Sequence, residues 1–243
     1  MVSVDTVYQR VLALANKEQR GYIPPVKFNL YANQAQMDIF EQYFYDRSQF
    51  GRRSGNQTMY ADPIDILEEK IEIFHRSETL SNTSSPINIF DLQNLTEDYY
   101  RLAKVITKGD ALKGDTILNN KHGNIVEKLT HSKFELVKRS SIIKPSLLRP
   151  VYYLKDTSII LEPDTIDSIE INYIRKPKNV VWQGTSVGDT LVYATGEDFE
   201  LHISEETKLV MKILQLAAIE MKDAGLLAIT SREDIKNIQQ EKQ

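Results

Sequence analysis

Apolar residues recur with a helical period at both ends of this chain and with a strand period in between. Val4, Val7, Val11 and Leu14 mark one face of a first helix that starts at Ser3 or Asp5, reaches Lys17 and is closed by Gly21. Ile23-Pro24-Pro25 then bends the chain, and Pro25 fits the first turn of a second helix, where a missing N–H costs nothing. In that long helix Phe28, Ala32, Ala35, Ile39 and Tyr43 share a face, widened by Leu30, Met37, Phe40 and Phe44. After a loop from Gly51 to Asn56, Asp62-Pro63 reads as the N-cap and first residue of a third helix carrying Ile64, Leu67, Ile71 and Phe74.

From Ser77 to Pro86 the Ser, Thr and Asn content predicts a connector, after which the pattern alternates. Strands are expected over 100–107, 124–129, 151–155, 158–162 and 168–175, with a tight turn at Lys155-Asp156-Thr157. Thr130 can cap a short helix over 131–139, and Trp182 ends a last extended piece after Pro177. Helical spacing returns at Ser204, the expected N-cap, with Glu205 and Glu206 in the first turn and Gly225 at the C-terminal end. This helix is apolar round most of its circumference. Leu209, Ile213, Leu216 and Glu220 mark one face and Val210, Leu214, Ala217 and Met221 the next. Only Lys208, Lys212, Gln215 and Lys222 form a polar row, so the helix needs cover on two or more sides.

The fold class that follows is α+β: a helical bundle formed by the N- and C-terminal helices, with an inserted antiparallel β-rich domain. The expected divisions are residues 1–76 for the N-terminal helices, 87–183 for the insert, 198–225 for the closing helix and 226–243 for a tail. In the tail Ser231 is a possible cap, and Ile235 and Ile238 are the only apolar anchors, suited to a disordered end or to one ordered on a neighbouring subunit.

Charge changes this picture locally. The chain has 243 residues and a net charge of −4, which argues against non-specific nucleic-acid binding by the molecule as a whole. Residues 101–155, however, hold 12 Lys and Arg against 4 Asp and Glu, a surplus of 8 that leaves −12 for the remainder. Lys128, Lys133, Lys138, Arg139, Lys144 and Arg149 in this segment could track a nucleic-acid backbone, meet an acidic protein, or simply be solvated. Aromatic residues are not regularly interleaved with them as stacking platforms would require. Cysteine is absent, which removes disulfides and thiolate metal sites and suits a reducing compartment. Met1-Val-Ser-Val-Asp5 leads straight into an amphipathic pattern and no apolar run reaches about 18 residues, so secretion and membrane insertion are not expected. The sequons at Asn56, Asn82 and Asn94 then read as chance matches.

One enzyme signature occurs: Gly184-Thr185-Ser186-Val187-Gly188 fits the G-x-S-x-G elbow of serine hydrolases. The elbow needs a strand before it and a helix after it, whereas Asp189 to Tyr193 favours strand or turn and the sole later histidine is His202, so a small-residue loop is the expectation. His75, His122, His131 and His202 are dispersed, without the spacing that presents two metal ligands on a helix face. Glu68, Glu69 and Glu72 form a solvated helix face, and Gly109, Gly114 and Gly123 do not make a phosphate-binding run. Neither a catalytic set, a metal site nor a cofactor is expected.

Three stretches carry a family resemblance. Ala15-Asn-Lys-Glu-Gln-Arg-Gly-Tyr-Ile23, then Phe28-Asn29 and Ala32-Asn-Gln-Ala-Gln36, resembles the opening of virion structural proteins of tailed bacteriophages, notably the crAss-like group and marine podoviruses. Ile169-Glu-Ile-Asn-Tyr-Ile-Arg-Lys-Pro177 up to Trp182, then Asp198-Phe-Glu-Leu-His202 and the helix from Glu205 to Asp223, is similar to the later part of the same set. Val126 through Ser132-Lys-Phe134 to Pro150-Val-Tyr152 is similar to its middle.

The resemblance implies a non-enzymatic head-to-tail connector, an adaptor or neck ring beneath the portal. Such a ring typically has twelve copies, is assembled in the host cytoplasm, and passes DNA through its lumen without reading sequence. The implied partners are further copies of the chain, the portal protein and adjacent neck or tail rings, with no membrane and no cofactor. Interface candidates are the six basic residues named above together with Trp182, Ile235 and Ile238. Two other readings stay open: a serine hydrolase using Ser186 on cell-wall or nucleic-acid substrate, and a DNA-binding accessory protein using the basic 101–155 segment.

Overall fold

The computed structural model describes residues 1–15, 23–50, 63–82, 88–108, 123–187, 190–221, 228 and 230–232. Helices and largely antiparallel sheets make it an α+β protein. It divides into two compact units: residues 1–73 with 177–243, and residues 74–176.

The first unit is built from both ends of the chain. It contains α1 (Val4–Ala15), α2 (Pro25–Phe50), α3 (Pro63–Glu72), the hairpin β8 (Val181–Val187) and β9 (Thr190–Glu197), and α5 (Glu206–Met221). Val4, Val7, Tyr8 and Val11 are the buried side of α1, while Leu14, expected on that face, is 46% exposed. On α2 the buried residues Phe28, Ala32, Ala35, Ile39, Phe40 and Tyr43 follow the predicted stripe, but Leu30 stands outside it at 66% exposed. The closing helix α5 packs on α1 and α2 of its own chain, so the cover that its sequence demands is present within one molecule. Even Lys208, expected in the wet row, is 8% exposed. A 3-10 turn, Ile203–Glu205, precedes α5, and its cap is His202 rather than Ser204: the His202 Nδ1 accepts from the Ser204 N–H. Gly21, Asp62 and Gly225, the other expected helix boundaries, lie outside the described residues.

An amide ladder joins the two ends. Asn29, Asn33 and Gln36 lie one turn apart on α2, and the extended segment from Lys178 to Trp182 runs past them presenting alternate backbone groups. The Asn29 carboxamide accepts from the Trp182 N–H (2.9 Å) and donates to the Trp182 carbonyl (3.1 Å). Asn33 does the same for Val180, at 2.7 and 3.0 Å. Gln36 donates to the Lys178 carbonyl at 2.8 Å and accepts from the Glu200 N–H at 3.1 Å. A helix thus stands in for a neighbouring strand, supplying the donors and acceptors that an extended segment must find. Around the ladder the Trp182 indole lies 4.3 Å from the Tyr8 ring and donates to Asp5 at 3.0 Å, while Asp198 accepts from the Val4 N–H at 2.9 Å.

The second unit is two sheets around one core. The first has the order β1 (His75–Ser81), β7 (Ser168–Arg175), β3 (Tyr99–Thr107), antiparallel throughout. The second has the order β2 (Ile89–Asp91), β6 (Ser158–Glu162), β5 (Val151–Lys155), β4 (Glu127–Lys128), in which β4 and β5 run parallel, a departure from the expected all-antiparallel insert. Leu80, Phe90, Val105, Tyr152, Leu161, Ile169, Ile171 and Tyr173, drawn from both sheets, share one buried cluster. The helix α4 (His131–Arg139) packs on β5 and inserts Phe134 against the Tyr153 ring at 4.5 Å. Asp156 turns the β5–β6 hairpin with φ of 51°. Gly123 has φ of +68°, and an added Cβ would come within 1.6 Å of the Thr107 carbonyl oxygen, so this position admits glycine alone.

Three expectations are corrected. Residues 77–81 are not a connector but most of β1, paired with β7. Phe74 lies past the end of α3, is fully buried, and begins the second unit. Gly184–Val187 is not a loop but part of β8, paired with β9.

Candidate interaction surface

The described part of the basic segment comprises β3 from Arg101 on, β4, α4, the stretch after it, and β5. On α4, Phe134 points inward and Leu136, two residues on, points away from the sheet and is 71% exposed. Lys133 and Arg139 flank Leu136 at three residues on either side, on the same outward face. The chain then turns on Ser140, whose hydroxyl accepts from the N–H groups of Ile142 and Ile143, both at 3.3 Å. Ser146 and Arg149 pair their backbones in a tight turn, and Asn124 donates to the Leu147 carbonyl at 3.0 Å. This hydrogen-bonded frame holds Ile142 at 92% exposed, Ile143 at 54% and Leu148 at 64%. Aliphatic side chains kept in water by an ordered backbone, and rimmed by charge, mark a surface built to be covered.

The six basic candidates separate into two groups. Lys138 contacts Glu162 at 2.6 Å, Arg139 contacts Glu135 at 3.3 Å, and Arg149 contacts Glu127 at 3.3 Å. The Lys138 ammonium is held above its usual pKa by the hydrogen bond it donates to Glu162, against the opposing effect of burial. Lys128, Lys133 and Lys144 are exposed and make no ion pair among the described residues. Three of the six therefore pair with carboxylates of their own unit, and three do not.

Trp182 does not belong to a docking surface. It is 1% exposed, at the centre of the first unit, with its ring, indole N–H and backbone all engaged. Sequence reasoning grouped it with the insert because it follows the last alternating strand; its partners at Tyr8, Asp5 and Asn29 are about 150 residues or more away in sequence and leave no local signal. Ile235 and Ile238 lie outside the described residues. Just before them Thr230 is helical and 1% exposed, and Ser231, the possible cap, is helical too.

Ser186 lies within β8 with its Cα paired to that of Leu191, and a second strand rather than a helix follows it. The strand-to-helix turn that raises an elbow serine is therefore not formed here. The His202 ring is engaged by Ser204, 2.9 Å from Nδ1 to the hydroxyl oxygen. His131 lies against Tyr153, and His122 falls outside the described residues. Among the described residues no group of three or more His, Asp and Glu is placed to hold a metal ion, and no helix is long and apolar enough to cross a membrane. A shallow cleft lined by Ser81, Asn82, Asp91 and Asn94 is polar, but Asn82 is spent on the Ile89 carbonyl and Asp91 on the Gln93 N–H.

No protein-family model matches this sequence, and no curated protein matches it.

Proposed function

We propose that this chain is a non-enzymatic structural subunit of a phage virion, one of about twelve copies in a connector or neck ring beneath the portal, through which DNA is packaged and ejected. The observation that carries this reading is the way the chain closes on itself. Residues 178–200 return to α1 and α2 through the amide ladder, and residues 74–176 are set between the two halves as a separate unit. The connector adaptors that the chain resembles combine helices from both chain ends with an inserted β part, and this order of elements supports the reading. Among the residues that carry the resemblance, Asn29, Asn33, Gln36, Pro177 to Trp182 and Asp198 to Glu200 build and flank the ladder. Their role in this reading is architectural, which is why the motif contains no reactive group.

A closed ring repeats one modest contact around a circle, so every subunit is held from two sides and affinity accumulates without an active site. The aliphatic and basic surface on the second unit supports the reading because it offers such a contact. The test is the mass of the purified protein over a range of concentrations, alone and mixed with a portal dodecamer, by native mass spectrometry. Rings, or a stoichiometric complex with the portal, are expected; a monomer at every concentration that ignores the portal sinks the proposal.

A further inference from the structure

We infer that the surface formed by Lys133, Leu136, Ile142, Lys144 and Leu148 is covered by the outward face of α3 from a second copy of this chain. The inference rests on the ring reading above and names the contact that closes the ring. Two independent observations select this occupant. The first is charge. Residues 1–73 and 177–243 hold 21 Asp and Glu against 15 Lys and Arg, a net −6, while residues 74–176 are at +2 with the surplus concentrated between 101 and 155. The second is the shape of α3. Leu67 and Ile71 are its buried side, and Asp65, Glu69 and Glu72 follow at helical spacing along the opposite face, with Ile66 beside them at 47% exposed.

Of the carboxylates on this helix, Glu68 is engaged by Arg47 at 2.7 Å. Asp65, Glu69 and Glu72 make no ion pair among the described residues. An acidic helix face with one aliphatic side chain thus remains open on the first unit. A basic surface with several aliphatic side chains remains open on the second. Each matches the other in charge sign and in carrying an apolar patch, which is how complementary interfaces set register and exclude wrong pairings.

In the ring reading the contact is heterologous: each copy donates α3 to one neighbour and receives α3 from the other. Such a contact propagates and closes into a ring when the rotation between copies permits. A reciprocal pair of copies would instead saturate both faces at a dimer, so the mass of the assembly separates the two arrangements.

Charge reversal tests this directly, since all four chosen side chains are exposed and away from the core. Lys133→Glu with Lys144→Glu leaves a chain acidic on both faces; Glu69→Lys with Glu72→Lys leaves one basic on both. Each is expected to weaken self-association at least about tenfold in sedimentation velocity, with thermal unfolding unchanged. Mixing the two in equal amounts is expected to restore oligomers, because each acidic surface then meets a basic one. If either double variant assembles like the parent, or the mixture stays dissociated, the contact is wrong while the ring reading survives on another surface. If the parent chain itself never associates, the ring reading fails first. Loss of duplex-DNA binding by the Lys133→Glu, Lys144→Glu chain with self-association intact would assign the segment to nucleic acid and overturn the inference.

Discussion

At the scale of single residues, the carboxamides of α2 explain more of this protein than any charged group. Asn33 satisfies both the N–H and the carbonyl of Val180, a residue with no exposed surface. Removing that side chain leaves a donor and an acceptor without partners, at about 1–3 kcal/mol for each group. Asn33→Ala is therefore expected to destabilise the first unit by about 2–5 kcal/mol, read as a lower denaturant midpoint. Asn33→Asp keeps the acceptor for Val180 N–H and loses the donor to its carbonyl, so it should fall between the parent and Asn33→Ala. Equal losses for the two variants would mean that the ladder is not what holds the segment. The resemblance drew on these residues without revealing their purpose, because partners 142 to 164 positions apart cannot be paired by local pattern.

At the scale of elements, legibility followed the number of faces a segment buries. The strands β5, β6 and β7 were readable to the residue, since β6 alternates along its length and β7 from Ser168 to Tyr173, burying Ile159, Leu161, Ile169, Ile171 and Tyr173. The strand β1 was not, because it is an edge strand in which only Leu80 is buried and Ser, Thr and Glu occupy the wet positions. Its composition is that of a connector, and only the pairing with β7 makes it a strand. The hairpin of β8 and β9 was hidden in the same way by the small residues of Gly184–Ser186. The polar row on α5 misled in the opposite sense: Lys208 is buried among neighbours that sequence could not assign. Of the interaction surface, the positive charges were legible and the aliphatic residues were not, since exposed Leu and Ile look like core until a fold shows otherwise.

The join between β1 and β7 carries its own titration. The Tyr173 hydroxyl donates to Glu78 at 2.7 Å, and the Thr96 N–H donates to the other carboxylate oxygen at 3.0 Å. Burial pushes the Glu78 pKa up, but these hydrogen bonds outweigh it and hold the group below its ordinary value. Burial, and then the bond to Glu78, push the Tyr173 pKa well above the tyrosine range. A depressed carboxylate contributes stability that is present above its unfolded pKa and lost as pH falls through the folded one. A raised phenol contributes stability that is present below its unfolded pKa and lost as pH rises through the folded one. Tyr173→Phe is expected to lower stability at neutral pH and to flatten both arms of the profile. Denaturant titrations from about pH 3 to about pH 11 would show it. An unchanged acid arm would mean that Tyr173 does not help hold Glu78 ionised.

At the scale of the whole molecule, the two units differ in how they are made, and this sets how they fold. Residues 74–176 are continuous, and their buried cluster is drawn entirely from within that range. Among the described residues that cluster is complete within the range, so this fragment, at about the usual size of a domain, should fold when expressed alone. Residues 1–73 cannot do so. Their apolar faces on α1 and α2 are covered by α5, by Trp182 and by the ladder to 178–182, all from the far side of the insert. Closing that unit requires bringing together segments more than 100 residues apart, and the entropy of that closure is lowered when the insert folds first and draws residues 73 and 177 toward each other through the paired β1 and β7. The fragment 74–176 is therefore expected to give dispersed amide resonances and cooperative unfolding, and the fragment 1–73 neither. A linker joining residue 73 to residue 177 should partly rescue the first unit, because β1 and β7 act here chiefly as a clasp. A folded 1–73, or a 74–176 fragment without cooperative unfolding, would show that the cores are not divided as the packing indicates.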